Sequence, residues 1–200
     1  MTYLFFDTET TGLPKDYKAP AWETNNWPRL VQLAWVATDE NGGIKSSGNW
    51  IIKPEGFIIP NEASDLHGVS TERALNEGLN LKTQLEIFAK EVNEADVLIA
   101  HNMSFDTKIV SAEYHRTGYQ RSPLYGKPAI CTMMNSTKYC ALPNANGRGG
   151  NKWPKLFELH TKLFGCGFDG AHDASVDIAA TVKCYFEMIN RGIITRPVNS

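Results

Sequence analysis

The chain has 200 residues, of which 42% are hydrophobic and 21% are charged, and its formal net charge is −2. This length and composition are typical of a globular domain with its own core and exclude a disordered chain. The charge gives no overall basic surface for wrapping duplex nucleic acid, although bound metal ions can supply positive charge locally. We therefore expect one domain over residues 1–200.

The sequence predicts a cytoplasmic protein with no membrane partner. It has no run of about 18 apolar residues that would span a membrane. The first residues enter a strand directly, without the charged and apolar segments of a signal peptide. None of the cysteines forms a CxxC pair, so we expect reduced thiols and not a zinc site. The cysteines are Cys131, Cys140, Cys166 and Cys184.

Strands dominate the first part of the chain. Residues 2–7 predict a buried strand, because the four residues from Tyr3 to Phe6 are apolar or aromatic. Residues 29–38 and 44–53 predict two more strands, joined by a turn at Asn41-Gly42-Gly43. The long irregular stretch at 14–28 lies between the first two strands, and loops of that length are often functional.

Helices and strands alternate in the second part of the chain. Apolar spacing predicts a helix over 81–94, and the end signals predict that Asn102 or Ser104 caps the next helix and that Gly118 ends it. Pro154 is expected in the first turn of a later helix. A second irregular stretch covers 142–154. The remaining predictions are strands at 96–102 and 129–133 and helices at 103–117, 155–164 and 174–191. Together these elements indicate an α/β protein with a mixed sheet.

Asp7 and Glu9 form the first chemical motif. They lie two residues apart at the end of the predicted first strand, so both side chains leave the same face of the sheet. Two crowded carboxylates repel each other and lose solvation, so they need a neutralising partner. Taken alone, the pair also fits two exposed acids that point into water.

Two further stretches carry acids at helix starts. HNMSFD (101–106) places Asp106 in the first turn of a helix that follows a strand, and HDASVD (172–177) places Asp177 one turn inside another. An acid in a first turn is favoured by the helix dipole and needs no function. Neither stretch is informative alone.

The three stretches in order resemble the sequence blocks of the DEDDh 3′–5′ exonucleases, the DnaQ-like family. The first block is FDTETTG (6–12), followed by HNMSFD and HDASVD. LHGVS (66–70) and the leucine-bearing LFELHTKLFG (156–165) match as well, so the resemblance covers nearly the whole chain. It implies a ribonuclease H-like three-layer fold, with a mixed central β-sheet flanked by helices.

The resemblance also implies the roles of the site residues. Asp7, Glu9, Asp106 and Asp177 would hold two divalent ions, Mg²⁺ or Mn²⁺, which prefer hard oxygen ligands. Two such ions roughly 3.5–4 Å apart can stabilise both the attacking and the leaving oxygen of a phosphodiester. Four carboxylates and two divalent ions nearly cancel in charge. We therefore expect the metal-free site to be self-repelling.

His172 is the general base that the resemblance implies, and the third block has the form HxxxxD. The sister group has a tyrosine at the position that Asp173 occupies here, so that form is excluded. A histidine pKa near 6.5 suits proton removal at neutral pH. His101 is the rival base, because it also lies at a predicted strand end beside an acid.

The resemblance implies a substrate side of the site as well. Thr10 and Leu13 match positions that contact the terminal nucleotide, and His67, Asn102 and Phe105 lie in matching segments. In the irregular stretches, Trp22 and Trp27 would either stack on bases or anchor their loop. Likewise, Arg148, Lys152 and Trp153 would either contact a strand of nucleic acid or lie in a plain loop.

These residues predict a metal-dependent 3′–5′ exonuclease that releases nucleoside 5′-monophosphates from single-stranded 3′ ends, with DNA favoured over RNA. The alternatives are an exoribonuclease, a polymerase-associated proofreading subunit, and a non-catalytic nucleic-acid-binding module. The intact acids and His172 argue against the binding module. About nine residues follow the last predicted helix, which favours a free-standing enzyme or one that acts beside replication or repair proteins.

Overall fold

The computed structural model describes residues 1–144, 149–170 and 173–197. They form a mixed sheet of five strands with helices packed on it. The strands lie in the spatial order β3-β2-β1-β4-β5. β2 pairs antiparallel with both β3 and β1, whereas β4 and β5 run parallel to β1. The bounds are β1 (Thr2–Thr10), β2 (Leu30–Asp39), β3 (Ile44–Ile51), β4 (Val97–Ala100) and β5 (Ala129–Cys131). The predicted α/β fold with a mixed central sheet is confirmed.

The described residues also form seven α-helices and a short 3₁₀ helix. The α-helices are α1 (Asn61–His67), α2 (Thr71–Glu77), α3 (Leu81–Glu94), α4 (Met103–Arg116), α5 (Thr132–Cys140), α6 (Leu156–Phe164) and α7 (Ala174–Asn190), and the 3₁₀ helix is Thr24–Asn26. None of the helices in the described part of the chain has the length and hydrophobicity of a transmembrane span.

Alternating side chains of β1 build both halves of the core. Tyr3 and Phe5 point to one face, where their rings lie 5.4 and 5.3 Å from the ring of Tyr185 on α7. Phe6 points to the opposite face, 5.6 Å from Phe88 of α3. Because successive strand residues alternate between faces, β1 is covered by α7 on one side and by α3 on the other.

α4 lies in the same layer as α3. The Tyr114 hydroxyl of α4 donates a 2.6 Å hydrogen bond to the Leu85 carbonyl of α3, and both residues are fully buried. On the α7 side, α5 and α6 pack against α7 through a smaller cluster that includes Leu159, Leu163 and Met188. The sheet therefore separates two helical layers, and the acids at the end of β1 can meet helices from both.

Several predicted bounds are wrong. The first strand extends beyond residue 7 to Thr10, because pairing with β2 continues past Asp7. The predicted strand at 129–133 ends at Cys131, and Thr132 begins the unpredicted α5. Pro154 precedes α6, whose N-cap is Lys155. α1 and α2 were not predicted, because seven residues are too few for a clear helical period.

Candidate active site

Asp7 and Glu9 both lie within β1, which extends beyond the predicted end at residue 7. They stand opposite Ala34 and Gln32 of β2, and the pairing slips by one residue directly after Glu9. Both side chains leave the face of the sheet that α7 covers, because they continue the alternation that begins at the third residue. The two carboxylates therefore share one face of the sheet, as expected. The pairing of β1 with β2 holds the backbone of both residues in place.

Asp177 reaches the same place from the first turn of α7. The preceding N-cap, Asp173, fixes this turn, because its carboxylate accepts a 2.8 Å hydrogen bond from the Ser175 amide. Carboxylate oxygens of Asp7, Glu9 and Asp177 all lie within 4.8 Å of one another. The fold therefore brings together three acids from distant parts of the chain. We call these three residues the carboxylate cluster.

Asp106 lies beside the carboxylate cluster but approaches β1 from the other helical layer. It is buried in the first turn of α4, and its Oδ1 accepts a 2.7 Å hydrogen bond from the Thr8 hydroxyl. Thr8 points away from the face that carries Asp7 and Glu9. Within the described residues, Asp106 is not part of the group whose oxygens converge within 4.8 Å.

Burial and neighbouring acids raise the pKa values of Asp7 and Glu9. Burial, followed by the charges of Asp106, Glu9 and Asp177, raises the pKa of Asp7 well above its ordinary value. Burial and neighbouring acids, first Asp177 and then Asp106, raise the pKa of Glu9 to about 8. Burial also raises the pKa of Asp106 to about 7, against the opposing effect of the Thr8 hydrogen bond. This is the expected self-repelling site.

An oxygen-only donor set of this charge fits a divalent cation. Hard ions such as Mg²⁺ and Mn²⁺ prefer carboxylate oxygens, and a cation would reverse the cost of ionising three crowded acids. Asp7, Glu9 and Asp177 are the residues placed to hold it. The sequence predicted four acids at this site; three of them converge within 4.8 Å, and Asp106 lies outside that group.

His101 serves a structural role in this fold. Its Nδ1 lies 2.9 Å from the Thr132 hydroxyl and its Nε2 lies 3.0 Å from the Pro154 carbonyl, so both ring nitrogens have partners. Burial lowers the pKa of His101 to about 4, and the contact with the Pro154 carbonyl opposes this shift. Such a histidine is neutral and joins β4, α5 and the segment before α6. His172, the predicted base, lies outside the described residues.

A cavity of about 420 Å³ adjoins the carboxylate cluster, because Glu9 belongs to the cluster and also lines the cavity. Four of the five residues predicted to contact substrate line this cavity: Thr10, Leu13, His67 and Phe105. Its walls come from the end of β1, from α1 and from the first turn of α4. We call this cavity the terminal pocket.

The fifth residue, Asn102, does not line the terminal pocket. It is the N-cap of α4 with a φ of 117°, and its side chain makes no capping hydrogen bond. Its carbonyl accepts hydrogen bonds from the Phe105 and Asp106 amides. Asn102 therefore shapes the turn that presents both residues. Ser104, the other predicted cap, lies inside the helix.

The lining of the terminal pocket combines apolar and polar side chains. The Thr10 hydroxyl donates a 2.7 Å hydrogen bond to the Gly12 carbonyl, and Gly12 has a φ of +145°, which favours glycine. Leu13 follows this turn and is 73% exposed. His67 is buried, and its Nδ1 accepts a 3.2 Å hydrogen bond from the Val69 amide. An exposed leucine at the mouth can contact a base without selecting its identity.

Sequence reasoning missed two contributors to the site. The Thr8 hydroxyl that positions Asp106 carries no sequence signal, because a threonine in a strand is common. Leu66 lines the terminal pocket, as Leu13 does, and is 56% exposed. It lies within the LHGVS match, so the motif contained the signal, but its contact with the pocket depends on α1.

Comparison with known families gives one match over most of the chain. Residues 4–185 match the sequence profile of the RNase_T exonuclease family. Curated relatives include the PolC-type DNA polymerase III of Streptococcus suis, 28% identical over 190 residues, and that of Listeria innocua, 25% identical over 191 residues. The matches cover 92% and 94% of this chain but 11% of each relative. The chain therefore spans only a small part of these polymerases.

Solved structures of Escherichia coli exonuclease I have the same fold. Its zinc-bound complex with single-stranded DNA gives a TM-score of 0.73 at 21% identity, covering 95% of this chain and 41% of that one. Its complex with a dT13 oligonucleotide gives 0.72 at 21% identity, covering 98% and 41%. At this identity the likeness establishes the ribonuclease H-like fold.

Proposed function

Because this chain belongs to the RNase_T exonuclease family, we propose that it is a metal-dependent 3′–5′ exonuclease that acts on single-stranded DNA. The observation that supports this most directly is the carboxylate cluster, with oxygens within 4.8 Å, directly beside the terminal pocket. A cation site next to a cavity with exposed apolar side chains suits cleavage at a chain end. The domain responsible is proposed to cover residues 1–200.

Two divalent ions, Mg²⁺ or Mn²⁺, are proposed to occupy the site. Asp7, Glu9 and Asp177 would hold one, and Asp106, beside Asp7, would help to hold the second. When bound, such ions stabilise the attacking and leaving oxygens of a phosphodiester. β1, α4 and α7 would hold the four carboxylates in position before substrate binds.

The remaining chemistry falls to the protein's own groups. The terminal pocket would hold the 3′-terminal nucleotide, with Leu13 and Leu66 against its base. This places the last phosphodiester beside Glu9. His172 would accept the proton of the attacking water, as the HxxxxD block implies. The product is a nucleoside 5′-monophosphate, and the shortened strand keeps a 3′ hydroxyl.

Two observations support DNA rather than RNA as the substrate. The exonuclease I structures contain single-stranded DNA, and the polymerase relatives are DNA polymerases. The polymerase relatives also favour a second candidate role, that of a proofreading domain within or beside a replicative polymerase. Both roles use the same reaction, so replication or repair proteins are the proposed partners.

The test compares labelled linear single-stranded DNA, circular single-stranded DNA, duplex DNA and RNA, each with Mg²⁺, Mn²⁺ or EDTA. We expect 5′-monophosphates from the 3′ end of the linear strand, weak dependence on sequence, and no product with EDTA. Circular DNA should survive, because the terminal pocket needs an end. Rapid cleavage of circles would indicate an endonuclease and contradict the proposal. Faster cleavage of RNA would assign the protein as an exoribonuclease.

A further inference from the structure

A second cavity lies on the other side of the first turn of α4 from the terminal pocket. Its volume is about 550 Å³. Ser104 lines this second cavity, whereas the next residue, Phe105, lines the terminal pocket. The loop at 14–28 follows Leu13, which lines the terminal pocket, and contains Trp22, which lines the second cavity. We call the second cavity the Trp22 groove; the residues that define it are Ala21, Trp22, Ser104, Lys108, Tyr125 and Met134.

Trp22 is displayed to solvent from a loop that is held in place. Its side chain is 67% exposed, whereas Trp27 of the same loop is 4% exposed and anchors it. The Trp27 indole donates a 3.1 Å hydrogen bond to the Pro20 carbonyl. Lys108 of α4 donates to the carbonyls of Tyr17 and Ala19 at 2.8 and 3.0 Å. The two tryptophans therefore differ, one anchoring the loop and the other presented by it.

The edge of the groove carries further exposed apolar groups. Met134 is 59% exposed and Tyr125 is 38% exposed. Together with Trp22 they offer flat and polarisable surfaces of the kind on which nucleobases stack. Because the loop is anchored, little backbone freedom is lost when a base binds there.

The charge at the groove is positive, although the whole chain has a net charge of −2. Lys108 and Lys127 line the groove, and no aspartate or glutamate is among the described residues that line it. Lys127 donates to the carbonyls of Asn93 and Ala95 at 2.9 and 2.7 Å. An ammonium has three donors, and these carbonyls account for two on each lysine. The Lys108 ammonium also lies 5.1 Å from the centroid of the Trp27 ring. This arrangement suits a phosphate.

We propose that the Trp22 groove binds a nucleotide on the 5′ side of the cleaved bond, with its base stacked on Trp22. The inference rests on the proposed function and extends it to strands long enough to reach both cavities. The strand would cross the first turn of α4, which separates the two cavities. The enzyme would then prefer unpaired strands, because a base in a duplex cannot stack on a tryptophan.

The test measures binding apart from catalysis. Fluorescence anisotropy gives the affinity of the Asp7→Asn protein for labelled oligothymidylates from two to ten nucleotides long. Adding Trp22→Ala should weaken binding of the decamer on the order of tenfold, within the usual range for one stacked base. It should leave dinucleotide binding unchanged, and Trp22→Phe should restore most of the decamer affinity.

Tyr17→Ala is the matched control. Tyr17 is an exposed aromatic residue of the same loop, 55% exposed, and does not line the groove. Its substitution should change the affinity for the decamer by less than twofold. Equal losses in the Trp22→Ala and Tyr17→Ala proteins, or equal losses for the dinucleotide and the decamer, would overturn the proposal. A dimer that Trp22→Ala dissociates would also overturn it, by assigning the groove to a second copy of the chain.

The two proposals fail in different ways. If the groove proposal is wrong, the wild-type protein still degrades single strands, and decamer affinity no longer depends on Trp22. If the exonuclease proposal is wrong, no strand is degraded with Mg²⁺ or Mn²⁺, whatever the decamer binding shows.

Discussion

Glu9 experiences two opposing demands. A metal ligand must be ionised, yet burial and the neighbouring acids raise its pKa to about 8 without a cation. The same conflict holds for Asp7 on the same strand face. Both side chains are fixed by β1 and cannot relieve the repulsion by moving apart. The free energy of this repulsion is therefore released when a cation binds, and substitutions here should separate activity from stability.

The first prediction concerns Asp7→Asn. Removing one ligand should lower turnover by at least about 10³-fold, equivalent to about 4 kcal/mol of transition-state stabilisation. Because a repelling charge is removed, the melting temperature of the metal-free variant should equal or exceed that of the metal-free wild type. Differential scanning calorimetry in EDTA measures this. A marked drop would show that Asp7 supports the fold and not a metal.

The second prediction concerns His172→Ala. If His172 is the base, kcat should fall by roughly 10²–10⁴ while the affinity for metal stays nearly unchanged. The wild-type rate should rise with pH through the histidine pKa, and the variant should lack this inflection. Some activity should return at high pH, where solvent supplies hydroxide. Metal affinity that falls in proportion to kcat would identify His172 as a ligand instead.

His101→Ala is the companion variant to His172→Ala. Because both His101 ring nitrogens have partners, at 2.9 and 3.0 Å, its loss should lower the melting temperature and leave the pH inflection in place. A larger loss of kcat in His101→Ala than in His172→Ala would reverse the assignment of the base.

At the scale of elements, α4 joins the acid site to the terminal pocket through the fully buried Glu113. Its Oε1 accepts from Arg29 Nε at 2.9 Å, from the Leu30 amide at 3.0 Å and from Arg116 Nη1 at 2.8 Å. The Arg29 carbonyl accepts a 3.0 Å hydrogen bond from the Thr11 amide, and the Thr11 hydroxyl accepts a 2.9 Å hydrogen bond from the Arg29 amide. Thr11 precedes the turn that carries Leu13. Glu113 thus fixes one wall of the pocket relative to another.

The third prediction follows from this network. Glu113→Ala should lower the free energy of unfolding by about 3 kcal/mol, because it leaves two arginines without their shared buried partner. The KM for single strands should rise as the wall carrying Leu13 loosens. Urea unfolding and steady-state kinetics measure the two effects. Arg73→Ala is the control: its exposed pair with Glu77 at 2.9 Å should contribute less than about 1 kcal/mol.

At the scale of the whole molecule, the acid site makes stability depend on pH and on metal. In the metal-free protein the pKa of Glu9 is about 8 when folded and ordinary when unfolded. Between these values the folded state binds a proton that the unfolded state lacks, so stability falls as pH rises. The penalty is absent below the unfolded pKa and complete above about pH 8.

The fourth prediction is therefore a melting temperature in EDTA that decreases by several degrees between about pH 5 and pH 8, with a smaller decrease in Glu9→Gln. Saturating Mg²⁺ or Mn²⁺ should remove the decrease, because the cation binds the ionised acids of the folded state. At about 100 times its dissociation constant, a metal adds about 2.7 kcal/mol. A metal effect that is equal at pH 5 and pH 8 would contradict the proposed ligands.

The sequence by itself determined the fold class and the shared face of Asp7 and Glu9. Alternation along β1 places Asp7 and Glu9 on one face whatever surrounds them, because the strand period is a local property. The predicted bounds of the long helix at 81–94 match α3, since its apolar spacing is regular over four turns. The same regularity is missing from α1 and α2. These short helices pack through Ala63 and Ala74 into a small apolar cluster with Val31.

Only the tertiary structure decided which residues meet. The approach of Asp177 to within 4.8 Å of Asp7 and Glu9 depends on where α7 crosses the sheet, and the hydrogen bond of Asp106 to Thr8 depends on α4. The different fates of Trp22 and Trp27, one exposed and one buried, follow from contacts made by Lys108 and Arg116 far along the chain. Local periodicity carries no information about such contacts, because they are set by how the layers pack.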